Sequence, residues 1–175
     1  MLDDSPQNEE KKVPEYTVNN FTIGPFVHMT HAYLGSGQLA GALLHYANFA
    51  HSAFSHSDLI GADFTAANLI NVDFLVADLT DAKLKYANLA VANFSHANLS
   101  GANLKGSNLA FANLTGANLK GALFKGTNLA HVNFDYADLA GVDLSEANIE
   151  GASFLYANLT GTKFPDFKSL GGSHD

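Results

Sequence analysis

From Leu34 to Phe164 every fifth residue is Leu, Phe or Ile, at all 27 positions. Two places before each of these stands a small residue, Ala, Gly, Ser, Thr or Val, again at all 27. The residue directly before is most often Asn or Asp, as in Ala97-Asn98-Leu99 and Ala117-Asn118-Leu119. A period of five fits neither the 3.6 of a helix nor the 2.0 of a flat strand. One large and one small apolar residue bury nothing alone, so each unit must lean on copies of itself. The chain is a solenoid.

The number of units per coil follows from the longer period at which columns become uniform, and that period is 20. Leu39, Leu59, Leu79, Leu99, Leu119, Leu139 and Leu159 form one column, and Asn48, Asn68, Asn88, Asn108, Asn128 and Asn148 another. Phe54, Phe74, Phe94, Leu114, Phe134 and Phe154 are nearly all Phe. Four units per coil, one per side, give a rod of square cross-section. Coils at strand spacing, about 4.8 Å, bring identical side chains into contact, so Phe should stack on Phe and Asn amides should bond in ladders. The column Gly41, Gly61, Asp81, Gly101, Gly121, Gly141 and Gly161 reads as a corner at positive φ, as in a type II turn. Bulky residues at the other corners, among them Tyr46, His51, His56, Tyr86 and Phe111, predict turns of ordinary negative φ there. The small residues should point inward, where a larger side chain would cost on the order of 1–3 kcal/mol.

The run Ala97-Asn98-Leu99-Ser100-Gly101-Ala102-Asn103-Leu104-Lys105-Gly106 resembles the A-(D/N)-L-x-x signature of pentapeptide-repeat proteins. The resemblance covers residues 32–164, about three quarters of the chain. It implies an all-β solenoid, a right-handed quadrilateral β-helix of about seven coils, with no catalysis of its own and no cofactor. It also implies two classes of role: an interaction scaffold of undefined partner, or a DNA-mimicking protein that binds and protects DNA gyrase or another topoisomerase.

Around the array, residues 1–15 read as a flexible polar tail and 16–31 as an N-terminal capping segment or divergent first coil. Tyr16, Val18, Phe21, Ile23, Phe26, Val27 and Met29 supply apolar mass there outside the repeat pattern. Residues 165–175 form a short C-terminal tail. The acidic N-terminus is unlike a secretory signal, and no apolar stretch approaches the roughly 20 residues of a membrane span. The expected location is cytoplasmic. A net charge of −8 with no Arg argues against direct nucleic-acid binding, which needs basic clusters. With no Cys, disulfide and thiolate chemistry are excluded.

Few residues suggest chemistry. His31 and His51 share a column, one coil apart, but Asn71 comes next and supplies no usual third ligand, so no metal site is expected. His56 and His96 are two coils apart, roughly 9.6 Å, too far to share an ion. No catalytic constellation forms without invented geometry. Charge is banded along the chain: Asp58 to Asp81, then Lys83 to Lys125, then Asp135 to Glu150. Lys85, Lys105 and Lys125 stack in one column, which is either a solvated face or a docking stripe for an acidic partner protein. Phe111, Tyr136 and Tyr156 at corners are either ordinary exposed aromatics or interface anchors. At the C-terminal end Phe164, Phe167 and Leu170 either lid their own last coil or join two copies in a homodimer.

Overall fold

The computed structural model describes residues 16–18 and 21–166. It opens with two strands, β1 (Tyr16–Val18) and β2 (Phe21–Ile23), paired antiparallel with Tyr16 opposite Ile23 and Val18 opposite Phe21. From His28 the chain winds into twenty-residue coils. His28 pairs in parallel with Asn48, Tyr33 with Ala53, Gln38 with Asp58 and Leu43 with Asp63, and the pattern climbs the rod to Asp143 with Lys163. The four bridges per coil define four faces, named here for their first members as the His28, Tyr33, Gln38 and Leu43 faces. The chain is a right-handed quadrilateral β-helix. No helix among the described residues is long and apolar enough to cross a membrane.

The interior is where the fifth-residue period puts it. From Leu34 to Leu144 the large inward residues are at most 1% exposed, while Ile149, Phe154 and Leu159 near the C-terminal end are only partly covered. Ile23 joins the same core, and Val27 and Met29 pack against it. Met29 already donates its N–H to the Asn48 carbonyl at 2.8 Å, so it is in register with the first coil. Phe54, Phe74 and Phe94 stack at centroid spacings of 5.4 and 5.0 Å, as do Phe134 and Phe154 at 5.1 Å.

The polar members of the small column are also paired. Ser52 donates to the Met29 carbonyl, Ser57 to Leu34, and Ser107 and Thr127 both to Leu104. A buried hydroxyl left without a partner would cost about 1–3 kcal/mol. Each of these reaches a turn carbonyl instead, which lets Ser and Thr stand where Ala is the rule.

The Asn ladder forms as the columns predict. Asn68 donates its amide to Asn48 Oδ1 at 3.0 Å, Asn128 to Asn108 at 3.0 Å and Asn148 to Asn128 at 3.2 Å. The same Oδ1 atoms accept the N–H two residues on, as Asn108 does from Ala110 at 3.2 Å. One side chain thus ties its own turn and the next coil together.

The corners depart from the sequence reading. Positive φ is not confined to the Gly column: Tyr46 (57°), His51 (62°), His56 (59°), Tyr86 (59°) and Phe111 (62°) all adopt it, as does Asp81 (55°). The cause is the ladder itself. Between Phe26 and Gly141 every corner N–H but that of Gly121 bonds to a carbonyl of the next coil, as Tyr46 does to Thr65 at 2.9 Å and Phe111 to Ala130 at 2.9 Å. That bond needs one peptide orientation, so the corners, Glu146 excepted, take type II turns, closed by bonds such as Ala47 N–H to the Leu44 carbonyl. Bulk therefore gives no escape from the left-handed region. Between Phe26 and Gly161 a single corner residue, Glu146, is not at positive φ.

Candidate interaction surface

With the interior filled by side chains, the chemistry of the rod lies on its faces and edges. The outward column of the Leu43 face runs Leu43, Asp63, Lys83, Asn103, Leu123, Asp143 and Lys163. The turns that close this face carry Lys85, Lys105 and Lys125. Of the lysines between 34 and 164, only Lys120 stands elsewhere, beside the Gln38 face. The axial banding of the sequence is therefore also a sorting by side. The other three faces hold Asp58, Asp73, Asp78, Asp135, Asp138 and Glu150.

Ion pairs use part of this charge. Lys83 sits 3.8 Å from Asp63, Lys163 3.5 Å from Asp143, Lys125 3.0 Å from Glu146 and Lys120 2.7 Å from Asp138. Among the described residues Lys85 and Lys105 form no ion pair; the Lys85 ammonium lies over the Tyr86 ring, 5.4 Å from its centroid. Three carboxyls titrate below the usual carboxylate range. For Asp63 burial pushes upward, but the hydroxyl and N–H of Thr65, with Lys83 and His45 nearby, outweigh it. Asp138 is lowered chiefly by its bond to Lys120, and Asp143 by the hydroxyl and N–H of Ser145, with Lys163 adding.

The aromatic candidates form two short stacks on other edges. Phe111 stacks on His131 at 4.9 Å and Tyr136 on Tyr156 at 5.1 Å. Phe111 is 62% and Tyr156 79% exposed. The Phe111 edge divides the His28 and Tyr33 faces, and the Tyr136 edge divides the Tyr33 and Gln38 faces. The lysine column lies on the edge between the Leu43 and His28 faces, so the lysines and these two aromatic stacks do not form one patch.

His31 and His51 do meet, stacked at 5.0 Å, and Asn71 donates its amide to His51 Nδ1 at 3.0 Å. The column continues as a hydrogen-bonded stack. Among the described residues no group of three metal-ligating side chains comes together. At the C-terminal end Phe164 is 39% exposed and packs edge-on against Phe154 at 5.6 Å. Phe167 and Leu170 lie outside the described residues.

Two family models match this coil. A pentapeptide repeat region matches residues 77–154, and a model of pentapeptide repeats in 8 copies matches residues 57–95. The chain belongs to the pentapeptide-repeat family. Similar solved structures include two pentapeptide-repeat proteins of the cyanobacterium Nostoc. HetL, involved in heterocyst differentiation regulation, is 25% identical over 87% of this chain and 92% of its own, with a TM-score of 0.31. The protein alr5209 is 32% identical over 51% of this chain and 75% of its own, with a TM-score of 0.48. QnrB1, a plasmid-mediated fluoroquinolone resistance protein, is 16% identical over 87% of this chain and 99% of its own, with a TM-score of 0.44. No curated protein matches the chain.

Sequence reasoning found the lysine column but not its neighbours. Lys83 and Lys163 stand two residues out of phase with Lys85, and only the turn geometry brings them to one face. That signal was available, since positions 83 and 85 flank the same inward Leu84.

Proposed function

We propose that this pentapeptide-repeat protein is a non-catalytic interaction scaffold whose Leu43 face docks an acidic segment of a partner protein. The observation that carries the reading is the gathering of Lys83, Lys85, Lys105, Lys125 and Lys163 on one side, with Lys85 and Lys105 outside any ion pair among the described residues. Like charges a few ångströms apart repel by roughly 1 kcal/mol in water and more at lower effective dielectric. A partner carboxylate relieves that repulsion, and the complementarity sets orientation and association rate. The test is fluorescence anisotropy with a labelled poly-glutamate peptide at low ionic strength. Binding that weakens as salt is added supports the reading, and no binding at about 100 µM contradicts it.

A second reading, a DNA mimic that binds gyrase or another topoisomerase, is favoured by the acids on the other three faces, where Lys120 alone opposes them. A protein that reads DNA would meet negative potential there. Unaltered supercoiling by purified gyrase at micromolar concentrations of this protein would remove it.

The scaffold reading includes a homodimer through the C-terminal coil. The partly exposed Phe154, Leu159 and Phe164 at the end of the described residues, with Phe167 and Leu170 beyond them in sequence, are what a second copy would cover.

A further inference from the structure

On three faces the hydrogen-bond ladder is continuous along the rod, but on the Leu43 face it breaks once. At that level the inward N–H of each neighbouring coil reaches across, as Leu104 does to Leu123 at 2.9 Å and Leu144 to Lys163 at 2.7 Å. Between the segments 121–126 and 141–146, both fully described, three such bonds are missing: Phe124 N–H to Asp143, Asp143 N–H to Ala122, and Gly121 N–H to Ala140. The bridge between Leu123 and Asp143 is missing with them. A cleft of about 290 Å³ opens there, lined by Lys105, Leu123, Lys125, Asp143 and Glu146 among others.

One corner accounts for the break. Glu146 is the corner that is not at positive φ, yet its turn is still closed by Ala147 N–H to the Leu144 carbonyl at 2.9 Å. Passing from a type II to a type I turn flips the central peptide. The Ser145 carbonyl is thereby turned away, and Gly126 donates instead to Glu146, at 3.0 Å and one residue out of step. Leu123 does not cause the break, since Leu43 in the same column leaves the bridge and both bonds to Asp63 intact.

We infer that this junction is a built-in opening point, at which the C-terminal coils from 141 onward separate from the rest of the rod as a unit. In a solenoid each coil is held only by its neighbours, so the weakest interface decides where the stack divides. Here one face of four has lost its ladder, and the cleft admits water to the free backbone groups.

Amide hydrogen exchange by NMR tests it on the full chain. Leu129, Phe134 and Leu139 cross this junction on its three intact faces, and Leu109, Leu114 and Leu119 cross the preceding one. The first set should exchange roughly tenfold faster than the second, with nearly equal opening free energies among themselves. The variant Glu146→Gly restores the type II corner. It should slow exchange of the first set by a similar factor and leave the second set unchanged. Equal protection across the two junctions in the natural protein, or a Glu146→Gly variant that folds but leaves the first set as fast as before, overturns the inference.

Discussion

Tyr46, His51 and Phe111 show what the stack demands of a single residue. Each accepts a left-handed conformation that costs an L-residue roughly 1–2 kcal/mol, because the corner N–H must reach the next coil. Ring stacking offsets part of that cost, as between Phe26 and Tyr46 at 5.3 Å or His31 and His51 at 5.0 Å. The sequence offers Gly in one column, and reading positive φ from Gly alone misses the corners where stacking and the ladder hold a bulky residue in the same region. A test follows at two glycines of different columns. Gly121 and Gly126 have φ of 72° and 68°, and neither would bring a Cβ closer than ordinary contact to a neighbour. Gly121→Val and Gly126→Val should therefore lower stability by similar amounts, about 1–2 kcal/mol each, in urea unfolding. A loss at Gly121 alone would restore the expectation of ordinary negative φ at the other corners.

At the scale of one face, the period of five dictates which side chains point in, and the period of 20 dictates which meet. The Phe stacks and Asn ladders were legible for that reason. The sorting of lysines to the Leu43 face was not, because it depends on which positions beside an inward residue share a side. The break at the Glu146 corner was hidden more deeply, since a turn type is a backbone choice that leaves the inward pattern of Phe124 and Leu144 intact. Face chemistry also sets a pH dependence. Asp63 and Asp138 titrate lower in the folded chain than their ordinary value, so they contribute stability that is present above about pH 4, the unfolded carboxylate range, and lost as pH falls through the lowered folded values. Melting temperature should fall between about pH 5 and pH 2.5, and Asp63→Asn should shrink that fall. An unchanged fall in Asp63→Asn would show that the Thr65 and Lys83 contacts do not favour the charged form.

The described rod has two unlike ends. At the first coil Ile23 is buried in the core and Val27 and Met29 pack on it, whereas at the last Phe164 stays partly open. Sedimentation equilibrium at tens of micromolar should give a dimer, and Phe164→Asp should shift it to a monomer while circular dichroism stays unchanged. A monomeric natural protein at that concentration removes the dimer. Around the rod the charge is as unequal as the ends, with five lysines gathered on the Leu43 face beside Asp63 and Asp143 and Lys120 alone among the acids of the other three faces, and this asymmetry is the basis of the scaffold reading. Binding of the labelled poly-glutamate probe to charge-reversed variants tests it most directly. Lys105→Glu on the Leu43 face should weaken binding by about fivefold or more, while Lys120→Glu, an equal change of charge, should change it by less than about twofold. Equal losses from the two variants would mean that the probe responds to overall charge and that the Leu43 face is not a docking surface.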